Sequence, residues 1–313
     1  MPPSSILPDT PPSPIQELHA AVFERQSIRF LVKRDDLLHP HISGNKWRKL
    51  KYNLAEARRR RFTGLLTFGG AYSNHLAATA AAGREFGFST AAIVRGERIE
   101  PLNPTLRFAE QCGMQFHFVS RTDYREKKAV LPEMLGIDEG KYYIVPEGGT
   151  NCLALPGCRE IVAEAEVQLD SLPDYFCVPC GTGGTLAGIV DGLKGRASAL
   201  GVSVLKGDFH RKDIAALLAT CGSSVPQNWS VRTDYHFGGY AKFTQVLISF
   251  INDFKAQHGI PPDPIYTGKL FFAVFDLAER GFFKKGSTVL AVHTGGLQGI
   301  AGFNERLGEL IIT

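Results

Sequence analysis

No stretch of this 313-residue sequence approaches the roughly 18 uninterrupted apolar residues that a membrane-spanning helix requires. The N-terminal segment MPPSSILPDTPPSPIQEL has no apolar region of the kind found in secretory signals, and its prolines predict an extended arm. Lysine and arginine are dispersed apart from the run Arg58 to Arg61, with no basic stripe interleaved with aromatic residues. We therefore expect a soluble, cytoplasmic protein that binds neither membranes nor nucleic acids.

Cysteine is also scarce, with six residues in the chain. That number is too low for a disulfide framework at this length, and it predicts reduced thiols. Cys177 and Cys180 form a CxxC pattern, but they lie within the strand-like run YFCVPC, and no second Cys or His pair completes a zinc site. We expect these two residues to be buried thiols, and we expect no bound metal.

Complete nucleotide-binding motifs are missing as well. The loop Gly181 to Thr185 follows a strand-like run and precedes a helix, but Leu186 occupies the third glycine position of GxGxxG, and the Gly-Lys-Ser/Thr of a Walker A motif is absent. Glycines allow close approach of the backbone to an anion, and a helix N-terminus attracts one. The loop therefore fits a single phosphate, with the Thr185 hydroxyl as an added donor, or it is a plain glycine-rich turn.

What the sequence does contain is an alternation of short apolar runs and helical stretches. The strand-like runs are residues 29–34, 64–70, 89–96, 114–120, 142–149, 175–180 and 287–296. The helix-like stretches are residues 46–60, 74–87, 103–113, 154–169, 185–201 and 268–281. This alternation predicts an α/β fold with parallel sheet and helices on both faces. A chain of this length predicts two domains or one large layered domain.

Two more junctions between strands and helices carry polar residues. Ser73, Asn74 and His75 stand at a predicted helix start, where they either cap the helix or donate to a substrate carboxylate. Lys46, in SGNKWRKL, also stands at a helix start. A phosphate loop, a carboxylate-binding helix start and an available amine together describe pyridoxal phosphate chemistry, in which a lysine forms a Schiff base with the cofactor.

The segments KRDDLLHPHISGNKWRKL, GGAYSNHLAATAAAG, PEGGTN, CGTGGTLAG, PDPIYTGK and HTGG occur in this order. From about residue 15 to about residue 300, the chain resembles the D-cysteine desulfhydrase and 1-aminocyclopropane-1-carboxylate (ACC) deaminase family. These are tryptophan-synthase-β-like, fold-type-II pyridoxal phosphate enzymes. The resemblance implies two three-layer parallel-sheet domains with the cofactor between them, residues 1–47 and 152–313 forming the large domain and residues 48–151 the small one. It also implies a small amino-acid substrate, and we expect a homodimer.

The resemblance assigns roles to individual residues. Lys46 would be the Schiff-base lysine, whereas its neighbours Arg48, Lys49 and Lys51 would belong to an ordinary helix. Asn74 would bond the cofactor's O3′ and contact the substrate, Ser73 would hold the substrate carboxylate, and His75 would be a further substrate contact. The implied catalytic residues are Lys46, Ser73, Tyr240 and Tyr266. The implied cofactor-binding residues are Lys46, Asn74, Gly181, Thr182, Gly183, Gly184, Thr185 and Thr294.

Two threonines favour one substrate within this family. ACC deaminases are expected to read YEGK and HLGG, whereas this chain has Thr267 in YTGK and Thr294 in HTGG, the D-cysteine desulfhydrase pattern. A carboxylate opposite the pyridine nitrogen keeps it protonated, and a neutral hydroxyl does so far less. We therefore predict β-elimination from D-cysteine to pyruvate, sulfide and ammonia. The alternatives are ACC deamination, elimination from a D-serine-like substrate and a non-catalytic pyridoxal phosphate-binding protein, and Thr267 in particular could be a turn residue without an electronic role.

Overall fold

The computed structural model describes residues 10–126, 136, 138 and 140–312. The strands are β1 (Ile15–Leu18), β2 (Arg29–Lys33), β3 (Gly64–Gly70), β4 (Ser89–Arg95), β5 (Met114–Val119), β6 (Tyr142–Ile144), β7 (Tyr175–Cys180), β8 (Ser198–Ser203), β9 (Trp229–Arg232) and β10 (Thr288–Val292). The helices are α1 (Ala21–Arg25), α2 (Asn45–Arg59), α3 (Asn74–Phe86), α4 (Pro104–Gln111), α5 (Arg121–Glu126), α6 (Ala154–Leu169), α7 (Gly184–Leu193), α8 (His210–Thr220), α9 (Gln245–His258), α10 (Thr267–Glu279) and α11 (Gln298–Leu307). None of the helices in these ranges is long and apolar enough to cross a membrane.

The strands form two sheets, which confirms the predicted α/β class. The larger sheet has the order β1-β2-β10-β7-β8-β9, and the smaller has the order β5-β4-β3-β6. Every pair of neighbouring strands is parallel except β1 and β2, which pair antiparallel at the edge of the larger sheet. The extended arm predicted at the N-terminus therefore continues into an edge strand at Ile15, and residues 1–9 of that arm lie outside the described residues.

Helices cover both faces of the larger sheet. One face packs against α1, α9 and α10 through Phe23, Phe254 and Phe271, and the other packs against α6, α7 and α8 through side chains such as Ile161 and Ile214. Because both faces are buried, the parallel strands are continuous apolar runs. The proposed division at residues 47/48 and 151/152 remains a prediction, and α2 runs across the first of these positions.

Three of the predicted elements are wrong in part. The strand predicted over residues 287–296 ends at Val292, ahead of Gly295 and Gly296 with positive φ. The helix predicted over residues 185–201 ends at Leu193, because Lys194 and Gly195 adopt positive φ, and Ser198–Ser203 is the strand β8. The strand predicted over residues 142–149 ends at Ile144, because the chain turns at Pro146 into a short 3₁₀ helix. Four-residue strands such as β1 and β9 carry too little periodicity to be seen in the sequence.

The cysteines divide into two groups. Cys177 and Cys180 are buried free thiols, as predicted, and burial raises the pKa of Cys180 to about 12. Cys152 and Cys221, however, form a disulfide bond, so the expectation of reduced thiols throughout is wrong for this pair. The two residues are 69 positions apart in the sequence, and only the fold brings their α-carbons to 5.3 Å.

Candidate active site

Three loops that carry the predicted site residues follow the carboxyl ends of parallel strands. They follow β3, β7 and β10, and they lead into α3, α7 and α11. In open parallel sheets, ligands bind beyond these ends of the strands. The loop after β10 also contacts the start of α2, because Asn45 N donates to Thr294 O at 3.3 Å. The start of α2 and the loop after β10 therefore meet at one crevice.

Lys46 lies in the first turn of α2. The residue before the helix, Gly44, has φ +62°, and a methyl group there would lie 2.0 Å from Thr294 O, so only glycine fits this close approach. Lys46 is half-buried in the crevice. Burial, followed by the charge of Lys49, lowers the pKa of Lys46 well below the usual 10.5. A lowered pKa makes the unprotonated amine of Lys46 easier to form, and that form acts as nucleophile or base.

Arg48 and Lys49, expected to belong to an ordinary helix, do lie in α2, but they are 1% and 2% exposed and make specific buried contacts. Lys49 Nζ donates to Gly148 O at 3.1 Å and to Thr150 Oγ1 at 3.2 Å, and it lies 3.1 Å from where a methyl group on Gly184 would sit. Its place in the site could have been read from its spacing, because a residue three positions after Lys46 shares the same helix face. Lys49 thus adds a hydrogen-bond donor beside the glycine-rich loop.

Arg48 has a different role from Lys49. It makes a two-pronged ion pair with Asp35, at 2.9 and 2.8 Å, and its Nη2 donates to Glu164 at 2.8 Å. These bonds fix α2 against α6 and the segment after β2. Lys51, in contrast, is partly exposed and pairs with Glu160.

The loop Gly181 to Thr185, which we call the phosphate cradle, connects β7 to α7. Gly183 has φ +78°, and a methyl group there would lie 2.7 Å from Ile214 Cγ1. Both the backbone conformation and the contact with Ile214 therefore exclude a side chain at this position. Thr182 Oγ1 shares a hydrogen bond of 2.6 Å with Thr150 Oγ1. Thr185 Oγ1 accepts a bond from Asn45 Nδ2 at 2.9 Å, which leaves its own proton free to donate. The start of α7 and the neighbouring Lys49 amine make this loop suited to a phosphate.

Replacing Gly183 with valine is expected to weaken cofactor retention at least about tenfold, because the new side chain would displace α8 or distort the loop. The measurement is the amount of pyridoxal phosphate that stays with the protein on dialysis. Gly259→Val is the matched control, since Gly259 has φ +67° at the end of α9 with open space around it. That control shares the backbone penalty and should keep its cofactor. Equal retention by Gly183→Val and wild type would show that the loop is not a phosphate site.

Ser73 and Asn74 start α3. Ser73 is the N-cap, and its Oγ accepts from His75 N at 3.2 Å and Leu76 N at 3.4 Å, so the capping interpretation holds. Its hydroxyl proton has no acceptor within the described ranges and can be donated to a ligand. Asn74 is 8% exposed, and its Oδ1 has no hydrogen-bond partner within the described part of the chain. A buried amide oxygen without a partner is costly, and it indicates a missing ligand group.

His75 occupies a more enclosed place than its neighbours. Its ring is 2% exposed, and its Nε2 shares a hydrogen bond of 2.8 Å with Thr67 Oγ1 in β3. Burial, then the charges of Lys46 and Lys49, lowers the pKa of His75 well below 6.5, so the ring is neutral. The bond to Thr67 fixes the start of α3 against β3. The substrate contact suggested for His75 stays a prediction.

Tyr240 and Tyr266 lie together, with ring centroids 6.1 Å apart and nearly perpendicular planes. Tyr266 also packs on the cradle, where its Cε1 lies 3.2 Å from the position of a methyl group on Gly181. Burial raises the pKa of both hydroxyls, and the proximity of Tyr240 adds to the shift of Tyr266. Both phenols are therefore protonated at neutral pH and can donate a proton into the crevice.

The two threonines that separate the family patterns differ in their surroundings. Thr267 is fully buried, and its Oγ1 donates to Asp263 Oδ1 at 2.8 Å while accepting from Asp263 N at 2.8 Å. It is therefore engaged at the start of α10. Thr294 is 6% exposed, and its hydroxyl makes no hydrogen bond with any residue that the structure describes. Of the two hydroxyls, that of Thr294 is available to a ligand.

These features fit pyridoxal phosphate. The cradle has room and donors for a phosphate, and burial lowers the pKa of the Lys46 amine. Among the described residues, neither the Asn74 amide oxygen nor the Thr294 hydroxyl has a hydrogen-bond partner. Residues that sequence reasoning did not assign to the site, among them Asn45, Lys49 and Thr150, reinforce the cradle.

Comparisons with known proteins agree with this fit. Residues 6–295 match the family described as pyridoxal-phosphate dependent enzyme. A Pyrococcus abyssi protein named "Putative 1-aminocyclopropane-1-carboxylate deaminase" is 31% identical, over 96% of this chain and 94% of its own. A mitochondrial protein of Arabidopsis thaliana, named bifunctional D-cysteine desulfhydrase/1-aminocyclopropane-1-carboxylate deaminase, is 30% identical over 90% of this chain and 75% of its own.

A more distant relative and a solved structure extend the comparison. The D-cysteine desulfhydrase of Klebsiella pneumoniae is 27% identical over 95% of both chains. A crystal structure described as that of an ACC deaminase homologue superposes with a TM-score of 0.81 at 28% identity, and it covers 99% of each chain. With a fold-type-II architecture, a matching sequence and a site that fits the cofactor, the chain belongs to the family of pyridoxal phosphate-dependent enzymes.

Proposed function

We propose that this enzyme catalyses β-elimination from a small amino acid, with D-cysteine as substrate and pyruvate, sulfide and ammonia as products. The observation that carries the proposal is the contrast between Thr267 and Thr294. The Thr294 hydroxyl has no hydrogen-bond partner among the residues that the structure describes, whereas that of Thr267 is bonded to Asp263. Asp263 itself accepts from the backbone N–H groups of residues 265, 266 and 267, so its carboxylate is fully engaged at the start of α10.

The free Thr294 hydroxyl would serve the pyridine nitrogen of the cofactor, and a neutral hydroxyl in that role would favour elimination over ring opening. A carboxylate at that position would hold the nitrogen protonated and strengthen electron withdrawal, which opening a cyclopropane requires because its α-carbon has no proton to lose. Loss of thiolate from the β-carbon needs less withdrawal, because the departing group relieves the negative charge. The arrangement of Thr294 and Thr267 therefore supports a substrate with a good leaving group.

The residues of this chain would divide the chemistry among them. Pyridoxal phosphate, when bound, supplies the electron sink that stabilises negative charge at the α-carbon. Ser73 and the N-terminus of α3 would bind the substrate carboxylate, and the Lys46 amine, whose pKa is lowered, would take the α-proton. Tyr240 or Tyr266, whose pKa values are raised, would protonate the departing thiolate. Water then converts the released aminoacrylate to pyruvate and ammonia.

ACC deamination is the second candidate, because two of the similar proteins carry that activity in their names at 31% and 30% identity. A panel of D-cysteine, L-cysteine, D-serine, β-chloro-D-alanine and ACC separates the possibilities. We expect sulfide and pyruvate from D-cysteine and little or no 2-oxobutanoate from ACC. Efficient turnover of ACC with D-cysteine left untouched would overturn the proposal, and no turnover of any compound by cofactor-loaded protein would favour a non-catalytic role.

Substitutions at Thr294 test the same idea from within the site. Thr294→Val removes the free hydroxyl at nearly constant shape, and we expect kcat/KM for D-cysteine to fall about tenfold, the size of one lost hydrogen bond of about 1.4 kcal/mol. Thr294→Ser keeps the hydroxyl and should stay near wild type. Equal rates for all three proteins would show that the hydroxyl has no electronic role.

A double variant that combines Thr267→Glu with Thr294→Leu tests whether stronger electron withdrawal by the cofactor changes the choice of substrate. It should shift the balance towards ring opening and away from desulfhydration. The structure adds a condition, because Thr267→Glu removes the hydroxyl bonded to Asp263 and places a second carboxylate beside it. Like charges at a buried site are unfavourable, so the comparison requires a check that the variant is folded.

A cytoplasmic location and a homodimer remain predictions.

A further inference from the structure

The phosphate cradle lies between two elements that each touch it directly. On one side is the loop of residues 146–152, which leads into α6. Thr150 Oγ1 bonds Thr182 Oγ1 at 2.6 Å, and a methyl group on Gly148 would lie 2.8 Å from the Thr182 side chain. The position of Thr182 therefore depends on the position of this loop.

On the other side is α8. His210, at its start, has its Nε2 2.9 Å from Gly181 O, and Ile214 packs where a side chain on Gly183 would stand. Helix α8 also packs on α7 and β9. Its C-cap is Cys221. Movement of α8 would therefore change the contacts of Gly181 and Gly183, two of the five residues of the cradle.

The disulfide bond joins these two elements. Cys152 ends the loop of residues 146–152, two residues beyond Thr150, and its sulfur is bonded to that of Cys221 at the end of α8. Cys152 is exposed and Cys221 is half-buried, so a thiol reagent can reach the bond. Three of the four free cysteines are buried: Cys158, Cys177 and Cys180. Among the described residues, the sulfur atoms that a reagent can reach are therefore those of this disulfide and of the half-buried Cys112.

We propose that the Cys152–Cys221 disulfide is a redox modification site that controls how tightly the cradle holds the cofactor phosphate. In the oxidised protein, the bond holds the loop and α8 together around the cradle. A dithiol reduces it: two electrons and two protons pass to the protein, the S–S bond breaks, thiols remain on both cysteines, and the reagent becomes a disulfide. Without the bond, only the chain between the two cysteines, 69 positions long, connects the loop and α8, and the cofactor leaves faster.

The experiment measures release of pyridoxal phosphate from holoprotein. Air-oxidised and dithiothreitol-treated wild type are diluted, and loss of the protein-bound absorption band is followed with time. We expect release to be at least about fivefold faster after reduction, within the usual range for coupled sites. Cys152→Ser and Cys221→Ser should each release at the faster rate with or without dithiothreitol. Cys112→Ser, which keeps the disulfide, should respond to the reductant as wild type does.

Two checks make the result decisive. Circular dichroism and the thermal midpoint establish that the serine variants are folded, and the double variant Cys152→Ala/Cys221→Ala replaces any single variant that is not. Peptide mapping establishes that the bond is present before reduction. The proposal is overturned if the mapped disulfide can be reduced without changing the release rate, or if air-oxidised protein contains no such bond.

This inference rests on the assignment of the cradle but not on the reaction catalysed, and the two can fail separately. If Gly183→Val speeds release but reduction does not, the redox role alone is wrong. If neither change affects release, the cradle assignment is wrong as well. The choice between D-cysteine and ACC does not enter the measurement.

Discussion

Replacing Lys46 with alanine is expected to abolish turnover of every substrate, with a loss of at least about 1,000-fold, while the protein still binds pyridoxal phosphate. The loss follows because the change removes both the covalent attachment point and the base for the α-proton, and a positioned base alone contributes about 100- to 10,000-fold. Retention of the cofactor follows because the cradle, Lys49 and Asn74 are untouched. Dialysis followed by absorption spectroscopy measures retention, and product assays measure turnover.

Peptide mapping makes the assignment specific to one lysine. After borohydride reduction of the wild-type holoprotein, mass spectrometry should find the pyridoxyl group on Lys46. Lys49 is the alternative attachment point, because it is buried, lies three positions after Lys46 in the sequence and also has a pKa that burial lowers. Lys49→Met should keep the adduct on Lys46 but hold the cofactor more weakly. Lys51→Ala, on the partly exposed face, should behave as wild type, and an adduct on any residue other than Lys46 would overturn the assignment.

Arg48→Met is expected to lower the free energy of unfolding by about 3–5 kcal/mol, the usual cost of removing one partner from a buried ion pair. It leaves Asp35, which is fully buried, without its guanidinium, and leaves Glu164 with Lys33 at 2.7 Å. Arg59→Met on the same helix is the matched control, because Arg59 is largely exposed and pairs with Glu56 at the surface. Urea unfolding of wild type and the two variants gives the comparison. A change no larger than that of the control would show that the network does not stabilise the fold.

The difference in stability between wild type and Arg48→Met has a defined pH dependence. Burial alone would raise the pKa of Glu164, but the hydrogen bond and charge of Arg48, together with Lys33, outweigh it and lower the pKa below 4.5. A lowered carboxyl pKa stabilises the folded state above pH 4.5, and that stability is lost as the pH falls through the folded-state pKa. The gap between the two proteins should therefore be full at neutral pH and shrink below pH 4.5. A gap that stays constant into acid would argue against a contribution from Glu164.

The sequence by itself determined the layered α/β class, most of the parallel strands and the junctions that carry the site. These features are local: strand and helix periodicity, a glycine-rich loop directly after a strand, and a serine that caps the helix it precedes. The α6 bounds of Ala154–Leu169 and the β3 bounds of Gly64–Gly70 agree with the predicted ranges for this reason. The resemblance carried by the ordered motifs identified the family, because several spaced motifs constrain a fold far more than one.

Only the tertiary structure decided which of several similar residues carry which role. The sequence does not distinguish the basic residues Arg48, Lys49 and Lys51 from one another. The orientation of α2 places Arg48 in a buried ion-pair network, Lys49 beside the cradle and Lys51 at a partly exposed position. Thr267 and Thr294 are both threonines in glycine-containing motifs, and the position of Asp263 engages one hydroxyl and leaves the other free. Cys152 and Cys221 meet across 69 residues of chain. The ion pairs of Arg48 and Lys51, the contacts of Lys49 and the disulfide depend on contacts between distant segments, which no local pattern in a single sequence encodes. The bonds between Asp263 and Thr267 join residues four positions apart, but the sequence alone does not show that the side chains adopt this geometry.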